Sequence, residues 1–127
     1  MTASILSSTM SSATEQVSPK THIFVVWAPD YADEGAFDRR MAIRDQHLQD
    51  LKKNQENGFI TKIAGPLISP ESLEAGASIK MNGSMLLVRG TSMEEVRAKV
   101  EKDVFWINNV WDKEKLVISP ILIAADI

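Results

Sequence analysis

A chain of 127 residues has room for one domain around one core, and its 44% apolar and 24% charged residues are those of a globular protein. A net charge of −3 leaves no electrostatic footprint for nucleic acid or an anionic membrane. The sequence has no cysteine, which removes disulfides, thiolate catalysis and cysteine-based metal sites and fits a cytoplasmic protein, and no apolar run approaches the roughly 20 residues of a membrane span.

Residues 1–20 are rich in Ser and Thr and lack a basic start, a long apolar core or any arginine. That composition predicts a disordered tail rather than a secretory or mitochondrial leader, with the folded domain over 21–127. His22 to Ala28, β-branched and aromatic, predicts a strand that Pro29 ends. Asp33 to about Asn57 reads as a long helix closed by Asn57-Gly58, and Phe59 to Leu67 as a second strand. Residues 69–83 carry turn residues and one helical turn; Ser84 to Gly90 is the third strand. Ser92-Met93-Glu94-Glu95 is a capping box opening a helix to about Asp103. An aromatic link follows, and Lys115 to Ala124 is the last strand, where Pro120 marks a bulge or an edge. The order β-α-β-β-α-β predicts an α+β ferredoxin-like fold, a four-stranded antiparallel sheet with two helices on one face.

Two helices cover one face of such a sheet, so a solvated second face should show alternating polar residues. Ile23 to Trp27, Met85 to Val88 and Ile121 to Ile123 are apolar on both parities instead. A homodimer packed sheet face to sheet face, a dimeric α/β barrel, is the expected cover.

On the first helix, Phe37, Met41, Leu48 and Leu51 form an apolar stripe with Arg44 near its middle and Arg40 and His47 on its shoulder. Two readings stand for Arg44: an ion pair snorkelling to the rim, or a guanidinium facing a bound anionic group. His47 is either a satisfied core histidine or an acid/base group. On the second helix Asp103 continues the stripe of Met93, Val96 and Val100, or else simply ends the helix in solvent. A carboxylate beside an imidazole fixes its tautomer, which suits proton transfer. Asp30 sits in a turn after the first strand, and Ser84 opens the third strand, each with an ordinary backbone role open to it. Trp27, Phe105, Trp106 and Trp111 form an aromatic group, either core and dimer contact or the wall of a small-molecule pocket. Two histidines without HxH or HExxH spacing give no metal motif, and the scattered glycines make no phosphate loop.

The segments RRMAIRDQHLQDL, AGPL at 64–67, NGSMLLV at 82–88 and EKDVFW at 101–106 resemble the YCII-related family over about residues 22–124. The shared pattern is Arg-x-x-His-Leu, Ala-Gly-Pro, Gly-Ser and Asp-Pro-Phe, in that order. The resemblance implies a ferredoxin-like fold dimerising through its sheets, with a His–Asp site between helices and sheet. It places His47, Arg44, Asp103 and Asp30 at family positions, with Gly65 and Ser84 lining the pocket. Val104 stands where the family has proline, which loosens the turn that carries Asp103.

The expected function is that of a small lyase or isomerase working without cofactor or metal on a cyclic or aromatic-derived metabolite, in specialised metabolism. His47 abstracts a proton, Asp103 or Asp30 holds its tautomer, and Arg44, with Arg40, stabilises the enolate or binds a carboxylate. Arg40, Asp30, Trp27, Gly65, Ser84, Phe105 and Trp106 contact the substrate. The alternatives are a non-catalytic small-molecule binder or accessory protein, and a purely structural dimerisation module with no cavity beside Arg44 and His47.

Overall fold

The computed structural model describes residues 20–124, so the tail expected over residues 1–20 lies outside it but for Lys20. The elements are β1 (His22–Pro29), α1 (Ala36–Glu56), β2 (Ile60–Ile68), a 3₁₀ turn (Pro70–Leu73), β3 (Met81–Gly90), α2 (Met93–Val100), α3 (Val104–Ile107) and β4 (Val117–Ile121). The strands lie in the order β2-β3-β1-β4, every pair antiparallel. This is the ferredoxin-like α+β fold that the sequence predicts.

β3 starts three residues earlier than expected, at Met81 rather than Ser84. Asn82-Gly83 reads locally as a turn, yet Gly83 pairs with Pro29 on one side and Leu67 on the other. Strand partners on both flanks override the local preference. Only glycine fits there, because a Cβ would meet the Ala28 carbonyl oxygen and Leu67 Cδ1, each at 2.9 Å. β4 is shorter than expected and occupies an edge, where Pro120 withholds no hydrogen bond from an inner ladder.

One face of the sheet carries the core. Phe24, Val26 and Ala28 of β1 and Leu86 and Val88 of β3 meet Val96 and Val100 of α2, with Phe105, Val110 and Trp111 from the segment that follows. The helix-free face is apolar as well: Trp27 (47% exposed), Val117 and Ile121 stand open in the single chain. No helix among the described residues is long and apolar enough to cross a membrane.

Two expectations about the helices are corrected. The buried face of α1 is Ala36, Arg40 and His47, with Ile43 and Leu51 packed against the core. The predicted stripe is rotated outward: Phe37, Met41 and Leu48 are exposed, and Arg44 is half-buried at its edge. Arg40 and His47 turn inward because each finds a buried carboxylate, an interaction that hydrophobic periodicity does not count. Asp103 does not continue the α2 stripe either. α2 keeps its capping box, with Ser92 Oγ accepting from the Glu95 amide (3.0 Å) and Glu95 Oε1 from the Thr91 amide (2.6 Å), and ends at Val100. Asp103 instead caps the separate helix α3, its Oδ1 accepting from the Phe105 amide at 2.8 Å. Val104 therefore occupies the first helical position, the place proline favours. The cap bond fixes Asp103 without the proline.

The start of α1 is tied to the segment after α3. Arg39 donates to both oxygens of Asp33 (2.7 and 2.8 Å) and to the Asn109 carbonyl oxygen (3.0 Å). The Arg39 guanidinium holds the Asp33 carboxyl below the usual carboxylate range, at about 2. This tie keeps α1 in register with the residues that surround its buried face.

Candidate active site

His47 sits midway along α1, 7% exposed, and three contacts fix its ring. Nδ1 lies 2.9 Å from Asp103 Oδ1, the oxygen that also accepts the Phe105 amide. The Phe105 ring stacks on the imidazole with centroids 3.8 Å apart and planes 9° from parallel. Trp111 meets it edge-on at 5.9 Å. An ionised carboxylate only accepts, so Nδ1 is the donor in this contact, and in the neutral ring Nε2 is the nitrogen with the lone pair. Nε2 has no hydrogen-bond partner among the described residues, and His47 lines a cavity. One short helix thus supplies both the carboxylate that sets the tautomer and the ring that sets the plane. Of the two candidate aspartates, Asp103 is the partner of His47.

Asp30 belongs to a different network. Arg40 donates from Nε to Asp30 Oδ2 (2.7 Å) and from Nη2 to Asp30 Oδ1 (3.2 Å), the Gly83 carbonyl oxygen (2.7 Å) and Ser84 Oγ (2.9 Å). Ser84 Oγ also accepts from Trp111 Nε1 at 3.1 Å. Both side chains of the ion pair are almost wholly buried, and the Arg40 guanidinium lies 4.6 Å from the Phe105 ring centroid. Phe105 therefore joins the two polar networks, packed against the imidazole of one and the cation of the other.

Between α1 and the β2–β3 side of the sheet lies a cavity of about 30 Å³, lined by Arg40, Arg44, His47, Leu48, Leu51, Gly65, Pro66, Ser84 and Leu86. That is room for one or two water molecules, far below the ~300 Å³ of a pocket that engulfs a drug-sized ligand. A purely structural module requires no cavity beside Arg44 and His47, and here one adjoins both.

The structure brings together five of the residues expected at the site, His47, Arg44, Arg40, Gly65 and Ser84, with Asp103 and Phe105 directly behind His47. Gly65 takes part through its backbone, since an added Cβ would meet nothing within 4 Å. Asp30 stands behind Arg40 and is not among the lining residues. Trp27 is corrected: β1 alternation turns it to the helix-free face, away from the cavity. Trp106 is corrected too, packing against the core beneath Lys113, 5.2 Å from its ammonium group. Trp111 also belongs to the site, its indole donating to Ser84 Oγ and flanking His47, although the sequence marks it only as one of the aromatics. No local signal marks it, because its partners are 27 and 64 residues away in sequence.

No family model matches the chain. It is 33% identical over 103 residues to an aspartate kinase, FUB3, of Fusarium oxysporum f. sp. lycopersici; the match takes in 80% of this chain but spans only 18% of that protein's length. It is similar to a solved structure of 5-chloro-2-hydroxyhydroquinone dehydrochlorinase (TftG) from Burkholderia phenoliruptrix AC1100 in complex with 2,5-dihydroxybenzoquinone. The TM-score is 0.60 at 23% identity, over 76% of this chain and 90% of the other, a likeness of fold. A fusaric acid biosynthesis protein 2 from Gibberella fujikuroi is 31% identical over 97 residues, covering 76% of this chain and 89% of the relative. With that identity across 89% of the relative's length, the chain belongs to the family of the fusaric acid biosynthesis protein 2 chains.

Proposed function

We propose that this protein is a small acid/base enzyme of specialised metabolism, a lyase or isomerase of the YCII-related kind, in which His47 is the proton acceptor. The observation that carries the reading is the state of His47: buried, its tautomer set by Asp103, its plane set by Phe105, and its Nε2 unpartnered at a cavity. A histidine serving only the core would have both nitrogens satisfied. The biosynthetic relatives and a dehydrochlorinase of the same fold support small-molecule chemistry.

In this reading Nε2 takes a proton from a carbon beside a carbonyl, and the C–H electron pair becomes the enolate double bond. Arg44 either stabilises the enolate oxygen or holds a carboxylate of the substrate. In elimination the enolate collapses, a double bond forms toward the adjacent carbon, and chloride or hydroxide leaves with its electron pair. The proton passes from the imidazolium to the leaving group or to solvent. In isomerisation the same proton returns to a different carbon. Asp103 stays ionised and holds the imidazolium while it exists.

Asp103→Asn tests the arrangement without removing the helix cap, since Asn caps as well as Asp. Turnover should fall by about tenfold or more, while His47→Gln/Asp103→Asn should lose no more than His47→Gln alone. Additive losses would show that the two residues do not act as a unit. A non-catalytic binder, the rival reading, predicts normal ligand binding by His47→Gln and no product from any variant.

The apolar helix-free face, with Trp27, Val117 and Ile121 open to solvent, supports a two-fold dimer through the sheets. Light scattering should give twice the chain mass at micromolar concentration. Trp27→Glu should give the single-chain mass, and a monomeric wild type would refute the dimer.

A further inference from the structure

The charges around the cavity single out one cation. Two guanidiniums and an imidazole line it, and no carboxylate is among the lining residues. Both nearby carboxylates are committed behind it, Asp30 to Arg40 and Asp103 to His47 and the Phe105 amide. Arg40 is therefore already neutralised. Arg44, half-buried on the same face of α1, has no ion pair and no hydrogen bond among the described residues. A guanidinium partly withdrawn from water and left unmatched is stabilised most by an anion brought to it.

We infer that the cavity is a carboxylate site and, resting on the acid/base reading above, that the substrate is a monoanion held through its carboxylate by Arg44. Three observations fix the class. One uncompensated cation calls for one negative charge. A cavity of about 30 Å³ takes a carboxylate in place of its one or two waters and takes no ring. The planar guanidinium fork matches a carboxylate through two parallel hydrogen bonds, and the ring is left against Leu48, Leu51 and Pro66. His47, its Nε2 unpartnered among the described residues, lines the same cavity.

Benzoate and benzamide have nearly the same shape and differ in charge, so calorimetric titration of the full chain with each isolates the effect. Benzoate should bind about tenfold or more tightly than benzamide. Arg44→Met should abolish that preference, Arg44→Lys should retain part of it, and His47→Gln should keep it, with each variant's fold checked by circular dichroism. Equal binding of the two ligands, no binding of benzoate at millimolar concentration, or a preference that survives in Arg44→Met would overturn the carboxylate site. Failure of the acid/base reading looks different: benzoate binds through Arg44, but 3-oxocyclohexane-1-carboxylate in D₂O takes up no deuterium beside its ketone faster with the protein than in buffer.

Discussion

Replacing His47 with glutamine is expected to lower turnover by about 10²- to 10⁴-fold, the usual contribution of a positioned general base. Glutamine is close to histidine in reach and carries an amide that can still donate to Asp103 Oδ1. The variant therefore keeps a hydrogen bond where the native Nδ1 contact measures 2.9 Å. What it loses is a lone pair of useful basicity where Nε2 stands. The stack on Phe105 at 3.8 Å is lost as well, so part of the effect is structural. A melting temperature measured alongside kcat separates the two: the stack accounts for about 1 kcal/mol, whereas the loss in rate corresponds to about 3–5 kcal/mol of barrier.

Arg40→Met is expected to act on stability instead, by about 3–5 kcal/mol. The side chains of Arg40 and Asp30 are 3% and 5% exposed, so removing the cation leaves a carboxylate buried without its counter-charge. The Gly83 carbonyl oxygen loses a partner in the same step, and Ser84 Oγ is left with Trp111 alone. For a domain of this size each kcal/mol moves the melting temperature by about 4–8 °C. The double variant Arg40→Met/Asp30→Asn should recover a large share of the loss, because the asparagine carries no charge to strand. A double variant no more stable than Arg40→Met would mean that the ion pair is not what Arg40 contributes.

Taken together these variants divide two arginines that look alike in the sequence. Arg40 and Arg44 are one helical turn apart, and hydrophobic periodicity places Arg44 at the centre of the buried face with Arg40 beside it. The structure reverses their order of burial, because Asp30, Gly83 and Ser84 converge on Arg40. Periodicity weighs apolar residues and has no term for a distant carboxylate. The element order was legible because three strands are rich in β-branched or aromatic residues, the third is an apolar Met-Leu-Leu-Val run closed by Gly90, and Ser92 and Glu95 form a local cap. The meeting of His47 with Asp103 was legible as two ionisable groups on two helices and as what the family resemblance implies. Its actual route, through the cap of the separate helix α3, depends on α2 ending at Val100. Trp27 shows the opposite limit. An aromatic residue on a strand apolar on both parities carries no mark of which face it takes, and pairing with Met85 and Val117 puts it on the helix-free one.

The relatives add a constraint on scale. One relative carries the matching region as 18% of a much longer protein, whereas another matches over 89% of its own length. The matching region thus occurs both as a small part of a long chain and as most of a short one.

Removal of a proton from carbon by His47 is the step proposed for this site, and solvent exchange reads it without knowledge of the natural substrate. 3-Oxocyclohexane-1-carboxylate offers a carboxylate and protons beside a carbonyl in one ring. Incubated with the protein in D₂O, it should take up deuterium next to the carbonyl far faster than in buffer, followed by NMR. With His47→Gln the protein-dependent rate should fall by about 10² or more. Exchange by His47→Gln as fast as by the native protein would contradict the account.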